Sequence, residues 1–127
     1  MQSTRILVAD DSRTVRVSLN RILTAADYQV LLASDGREAV DLARLHEPQL
    51  AILDIQMPEM DGYTACEEIL SQATIPIIFL TKDPGNHLAA LGDQLGAYIP
   101  KPAQEAELLS TISQLLASAE LETTCAR

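Results

Sequence analysis

The sequence predicts an α/β domain of the (βα)5 kind, a doubly wound five-stranded parallel sheet with helices on both faces. Three observations predict it. Five short apolar runs rich in β-branched residues recur along the chain, segments of helical periodicity separate them, and the runs do not alternate apolar with polar. Strands that are apolar throughout belong to a parallel sheet covered on both sides. At 127 residues, 47 % of them hydrophobic, the chain holds enough material for one core and too little for a second full-sized domain.

The elements follow in order. Ile6 to Ala9 is the first strand, and Val15, Leu19, Ile22, Leu23 and Ala26 then fall at the i, i+3, i+4 spacing of a core-facing helical stripe. Tyr28 to Ala33 is the second strand; Asp35 followed by Glu38 resembles a capping box that opens the next helix. Leu50 to Leu53, Ile75 to Thr81 and Ala97 to Ile99 are the third, fourth and fifth strands. Pro102 suits the first turn of a last helix, Ala103 to Ala119, striped by Leu108, Leu109, Ile112, Leu115 and Leu116. The segment after Thr81 is weakly determined. Lys82-Asp83-Pro84-Gly85-Asn86-His87 precedes Leu88, Ala89, Ala90 and Leu91, so proline and glycine delay or shorten the fourth helix. The domain is expected over residues 1–119, with residues 120–127 a polar C-terminal tail that frays.

Composition excludes several function classes. The formal net charge is −9. Its acids concentrate after residue 44, where twelve stand against three basic groups, so direct nucleic-acid binding is not expected. No stretch approaches the roughly 18 consecutive apolar residues of a membrane span, and Met1 to Arg5 has no apolar stretch behind it, so a soluble, cytoplasmic protein is expected. Cys66 and Cys125 lie far apart without metal-ligand or redox-pair spacing and read as ordinary reduced thiols. His87 has no second histidine near it in sequence and reads as a solvated loop residue rather than a ligand.

The informative residues sit at the carboxyl ends of the strands. In a five-stranded doubly wound sheet the usual order is 2-1-3-4-5, and ligands bind outside the carboxyl ends where the winding reverses, between strands one and three. Strand one runs into Asp10 and Asp11 and strand three into Asp54, which brings three carboxylates to one crevice. Two like charges about 4 Å apart repel by roughly 4 kcal/mol at an effective dielectric near 20, so something must offset them. A bound cation is one remedy, and oxygen-only ligands favour Mg²⁺ over Zn²⁺; a protonated aspartic acid of raised pKa is the other. Thr81 ends strand four and Lys101 follows strand five, adding a hydroxyl donor and a fixed positive charge. Singly each has an ordinary reading: an Asp pair after a strand is often a helix cap, Thr81 a strand end, Lys101 a solvated loop residue. Together they form a site suited to stabilising a transferring phosphoryl group.

Four segments resemble a known pattern: Ile6-Leu7-Val8-Ala9-Asp10-Asp11-Ser12, Asp54-Ile55-Gln56-Met57-Pro58-Glu59-Met60-Asp61-Gly62, Phe79-Leu80-Thr81, and Gly96-Ala97-Tyr98-Ile99-Pro100-Lys101-Pro102. In that order they are similar to the receiver domains of bacterial response regulators, chemotaxis regulators among them, over about Arg5 to Ala117. The resemblance implies a flavodoxin-like fold in which Asp54 attacks the phosphorus of a phospho-histidine on a sensor histidine kinase or histidine phosphotransfer protein. It implies Mg²⁺ bound directly by Asp11 and Asp54, through water by Asp10, and by the backbone carbonyl of Gln56. It further implies that Lys101 pairs with the phosphoryl oxygens, that Thr81 hydrogen-bonds to them, and that the Lys101-Pro102 bond is cis. Tyr98 occupies the family's aromatic switch position. Movement of Thr81 and Tyr98 would then alter the face made by the fourth helix, fifth strand and last helix, as a shift between two populations. The protein would catalyse only its own phosphorylation and dephosphorylation. Its output would be another protein or a domain on sequence beyond this chain, since no output module fits in residues 120–127.

Three departures from the pattern stand out. Lys82 follows Thr81 where the family usually has a small residue, which is expected to alter the lifetime of the phosphoryl group. Pro84, Gly85 and a short interval between Thr81 and Lys101 put the fourth helix in doubt. The last helix lacks basic residues from Ala103 to Ala119, so a charge-paired dimer face is poorly supported and a monomer or weak dimer is expected. A flavin mononucleotide protein would share the winding, but Asp10 and Asp11 would repel its phosphate; a haloacid-dehalogenase-type phosphatase would want an acid where Gln56 stands. The closer alternative is a receiver-like scaffold that binds partners without being phosphorylated.

Overall fold

Residues 4–81 and 96–125 are described by the computed structural model. Five strands, β1 (Arg5–Ala9), β2 (Gln29–Ala33), β3 (Leu50–Asp54), β4 (Ile77–Thr81) and β5 (Gly96–Pro100), pair in parallel in the order β2-β1-β3-β4-β5. Four helices are described: α1 (Arg13–Ala25), α2 (Gly36–His46), α3 (Gly62–Leu70) and α4 (Glu105–Cys125). The expected fourth helix, with Lys82, Pro84, Gly85 and His87, lies outside the described residues.

The strands divide their side chains between two apolar layers. Ile6, Val8, Ile52, Ile78 and Leu80 meet Leu19 and Leu23 of α1 and Leu108 and Ile112 of α4. Leu7, Ala51, Leu53, Ile77 and Phe79 meet Ala39, Val40 and Ala43 of α2 and Ala65, Cys66 and Ile69 of α3. Burial of each large aliphatic side chain contributes about 1.5–3 kcal/mol before the entropy of ordering is subtracted. The doubly covered pattern holds in full for β3 and β4, and for β1 from Ile6 to Ala9. At the edge, β2 leaves Gln29 and Leu32 exposed.

Three of the four described helices start at a side-chain cap. Ser12, Asp35 and Asp61 cap α1, α2 and α3 by accepting from Val15, Glu38 and Thr64 N–H at 3.4, 2.8 and 2.8 Å. The Asp35–Glu38 box is half realised, because Glu38 Oε1 accepts from Ser34 N–H at 2.8 Å and from its hydroxyl at 3.0 Å.

Several boundaries differ from expectation for physical reasons. β4 begins at Ile77, not Ile75, since Pro76 accepts from Ala51 N–H through its carbonyl but has no N–H to extend the ladder. The last helix opens at Glu105, where Leu108 N–H donates to Gln104 O and Glu105 and Glu107 favour the positive helix end; Pro102 therefore precedes its first turn. The last helix runs past the expected end at Ala119 to Cys125, through a stretch without proline or glycine.

Candidate functional site

The three predicted carboxylates converge. One ligand oxygen each from Asp10, Asp11 and Asp54 lies within 4.8 Å of the others, Asp10 and Asp54 buried and Asp11 exposed. Topology does this: β1 and β3 are neighbours in the sheet centre, and Ala9 pairs with Leu53, so both chains leave the sheet side by side. Because Ser12 takes the capping role of α1, the Asp pair is not consumed as a cap. Asp10 Oδ1 instead accepts from Ser12 N–H at 2.9 Å, and Arg16 Nη1 donates to the Asp10 carbonyl at 2.7 Å.

Lys101 supplies the offsetting charge. Its ammonium stands 2.9 Å from Asp10 Oδ2 and 3.2 Å from Asp54 Oδ1, with 15 % of its side chain exposed. The expected pairing of Lys101 with phosphoryl oxygens thus has, in this structure, a carboxylate counterpart. The Lys101-Pro102 bond is cis, as the resemblance implied. Lys101 N–H donates to Thr81 O at 2.8 Å, which ties the loop after β5 to the end of β4.

Of the two remedies considered for the charge cluster, the raised carboxyl pKa leaves a mark. Asp54 has its pKa raised, first by burial and second by the charge of Asp10, against the lowering influence of Lys101 and of a hydrogen bond from the Gln56 backbone. Burial alone would lower the pKa of Lys101, but Asp10 and then Asp54 outweigh it and the net shift is upward. Lys101 therefore stays charged while Asp54 is held short of full compensation. All-oxygen donors, two of them buried and one free toward solvent, fit a hard divalent cation of the Mg²⁺ type.

Asp11, Asp54, Gln56, Thr81 and Lys101 line one crevice of about 720 Å³, which extends over Thr14 and Ser18 of α1 and over Pro102 and Ala103. Thr81 is buried at its rim. Tyr98 belongs elsewhere. It is half-buried on the α3 side of the sheet, its ring stacked on Phe79 at 5.4 Å and its hydroxyl 3.3 Å from that of Tyr63. Tyr63 and Phe79 rings are 4.9 Å apart. Sequence reasoning missed Tyr63 as the partner of Tyr98; the available signal was that a chain with only four aromatic residues places three of them within one layer. It also missed Arg16, one turn into α1.

Comparison with known proteins gives the family and the fold. The family model described as response regulator receiver domain matches residues 6–113. The chain is 43 % identical to the response regulator MprA of Mycolicibacterium vanbaalenii over 115 residues, covering 88 % of this chain and 50 % of that protein. Among solved structures it is similar to the signal receiver domain of a signal transduction histidine kinase from Syntrophus aciditrophicus, with TM-score 0.79, 37 % identity and 91 % and 92 % of the two chains covered. It is likewise similar to the Vibrio cholerae chemotaxis protein CheY4, with TM-score 0.80, 28 % identity and 90 % and 99 % covered. The chain spans about half the length of the curated relatives it matches.

Proposed function

This chain belongs to the response regulator receiver domain family, and from that membership we propose that it accepts a phosphoryl group on Asp54 from a phospho-histidine of a sensor histidine kinase or histidine phosphotransfer protein. The observation that carries the reading is the meeting of Asp10, Asp11 and Asp54 within 4.8 Å, with the Lys101 ammonium 3.2 Å from Asp54, beside a crevice that Asp11, Asp54 and Lys101 line.

In the transfer, a carboxylate oxygen of Asp54 forms a bond to phosphorus as the P–N bond to the donor imidazole breaks; the imidazole keeps the electron pair and takes a proton. Asp10, Asp11, Asp54 and the Gln56 carbonyl would hold Mg²⁺, Asp10 through water, and the ion would supply positive charge for the phosphoryl oxygens. Lys101 exchanges part of its contact with Asp54 for a phosphoryl oxygen, so its charge is in place before the reaction. Thr81, buried at the rim, donates its hydroxyl to a second oxygen. Drawing Thr81 inward frees space beside Tyr98, whose stacking on Phe79 and contact with Tyr63 define the starting state of a two-population switch read by a downstream effector protein or output domain. The protein is in this reading a cytoplasmic signalling component that turns over no separate substrate. No helix among the described residues is long and apolar enough to cross a membrane.

Intact mass after incubation with acetyl phosphate and Mg²⁺ tests the proposal. Wild type is expected to gain one phosphoryl group and Asp54→Asn none. No gain in wild type would leave the phosphorylation-independent scaffold; a gain in both would move the acceptor to another residue.

A further inference from the structure

We infer that Gly36, the first residue of α2, is a positioning residue for the divalent cation, acting through the backbone of Met60. The inference rests on the reading above that Asp10, Asp11, Asp54 and the Gln56 carbonyl hold that ion. Gly36 is separated from all four in sequence and touches none of them; what it touches is the loop that carries one and follows another.

The loop from Ile55 to Asp61 is wedged between two glycines. On one side, a Cβ at Gly62 would stand 3.0 Å from the Asp54 carbonyl carbon and 3.0 Å from Ile55 Cα, and nearer still to the Asp54 carbonyl oxygen. On the other, a Cβ at Gly36 would stand 2.8 Å from the Met60 carbonyl carbon and 2.9 Å from Met60 Cβ, and nearer still to the Met60 carbonyl oxygen. The atoms met are mostly backbone, so no rotation of a flexible side chain makes room; a substituted Gly36 must push the loop or move α2.

Neither α2 nor the loop has slack to absorb the push. The first turn of α2 is held internally by Asp35 accepting from Glu38 N–H, by Ser34 donating to Glu38, and by Ala39 N–H donating to Asp35 O at 3.1 Å, and the helix is held to the sheet and α3 by the buried Ala39, Val40 and Ala43. Within the loop, Met60 N–H donates to Pro58 O at 2.7 Å and Gly62 N–H to Ile55 O at 2.8 Å, while Glu59 already holds a left-handed φ of 69°. Beyond it, Asp61 is engaged as the cap of α3. Displacement of Met60 is therefore passed back along the loop to Gln56 and to Asp54, whose backbone Gly62 contacts. Gly36 itself has no left-handed φ. Alanine there meets no backbone penalty of its own, and the contact with Met60 alone sets the outcome.

The test is Mg²⁺ binding by isothermal titration calorimetry, with no phosphoryl donor present. For Gly36→Ala the dissociation constant is expected to rise by roughly 10–100-fold, the range seen when groups that orient metal ligands are altered. Arg37→Ala, next along the same helix and exposed, is expected to bind like wild type. If wild type binds Mg²⁺ and Gly36→Ala binds it equally well, the positioning role is overturned while the metal site stands. If wild type itself fails to bind, the metal site falls and this inference with it. Amide spectra separate positioning from a general loss of structure. In metal-free Gly36→Ala, shifts are expected over residues 54–62, and shifts confined to α2 would overturn the inference. Should Gly36→Ala not fold, a Mg²⁺ titration of wild type still decides. The Gly36 amide must then move with the same midpoint as that of Gln56, and an unmoved Gly36 amide overturns the inference.

Discussion

The middles of the strands and their carboxyl ends are built on opposite terms. In the middles, Leu7, Ile52, Leu53, Ile78 and Phe79 are wholly buried and contribute apolar area to one layer or the other. At the ends, within one or two residues, stand Asp10, Asp54 and Thr81, the buried polar side chains among the described residues. Two of these are acids that burial and mutual repulsion oppose, offset among the described residues by the Lys101 ammonium. The middles hold the ends in place against their own electrostatics. That order lets buried carboxylates be positioned without the site having to stabilise the fold.

The sharpest way to break this comparison is to remove a side chain from a middle. Phe79→Ala, emptying a site with no solvent exposure between Tyr63 and Tyr98, is expected to cost about 3–5 kcal/mol in urea unfolding, because lost transfer energy and a residual cavity add. A cost below that of any change at the strand ends would show that the middles do not carry the stability. Asp54→Asn should act in the other direction and by less. In metal-free protein at pH 7 it is expected to stabilise the fold, by less than the roughly 4 kcal/mol of two unscreened like charges about 4 Å apart at an effective dielectric near 20, because the contact with Lys101 is lost as well. The sign follows from linkage. A folded-state pKa raised above the ordinary 3.8 means that the contribution of Asp54 to stability is present below about that pH and is lost as pH rises through the folded value. The gap between Asp54→Asn and wild type should thus widen from acid toward neutral pH and close again when Mg²⁺ is added. Urea midpoints at pH 4 and pH 7, with chelator and with Mg²⁺, measure it as a difference in which the other carboxylates cancel.

The two regions also differ in how far the sequence revealed them. The strand middles were legible within two residues because unbroken β-branched runs have few other uses, and the misplaced start of β4 came from reading Ile75 and Pro76 by hydrophobicity rather than by hydrogen-bonding capacity. Asp10, Asp11, Asp54, Thr81 and Lys101 could be assembled because strand order alone brings their chain positions to one edge. What strand order does not encode is which groups then pair. The bridging of Asp10 and Asp54 by Lys101, the Tyr63–Tyr98 contact and the closeness of Gly36 to Met60 depend on side-chain reach and on helix separation. A periodicity argument carries no information about either. The extension of α4 past residue 119 was missed for a simpler reason: polarity was taken as a stop signal, whereas helices end at glycine, proline or a cap.

The smallest effect sharpens the comparison most directly, because it concerns an acid on α3, in the apolar layer that covers the strand middles. Cys66 is buried in the layer between α2, α3 and the sheet, and its thiol is pushed up to about 11, first by burial and second by the charge of Glu67. Asp54 is also raised first by burial but has Lys101 beside it, and the causes of the Cys66 shift include no cation. The layer over the middles therefore keeps its acid protonated at neutral pH. Folded protein carrying Cys125→Ser, so that Cys66 alone reports, should resist iodoacetamide at pH 8 and react at the ordinary rate once unfolded in urea, since the thiolate is the nucleophile. Stability should be unaffected by Cys66 below about pH 9 and should fall as pH rises from there through about 11, because the unfolded chain releases the proton first. Rapid native labelling at pH 8 would mean that the apolar layer opens to solvent far more often than its packing implies, and the contrast drawn between middles and ends would fail at that point.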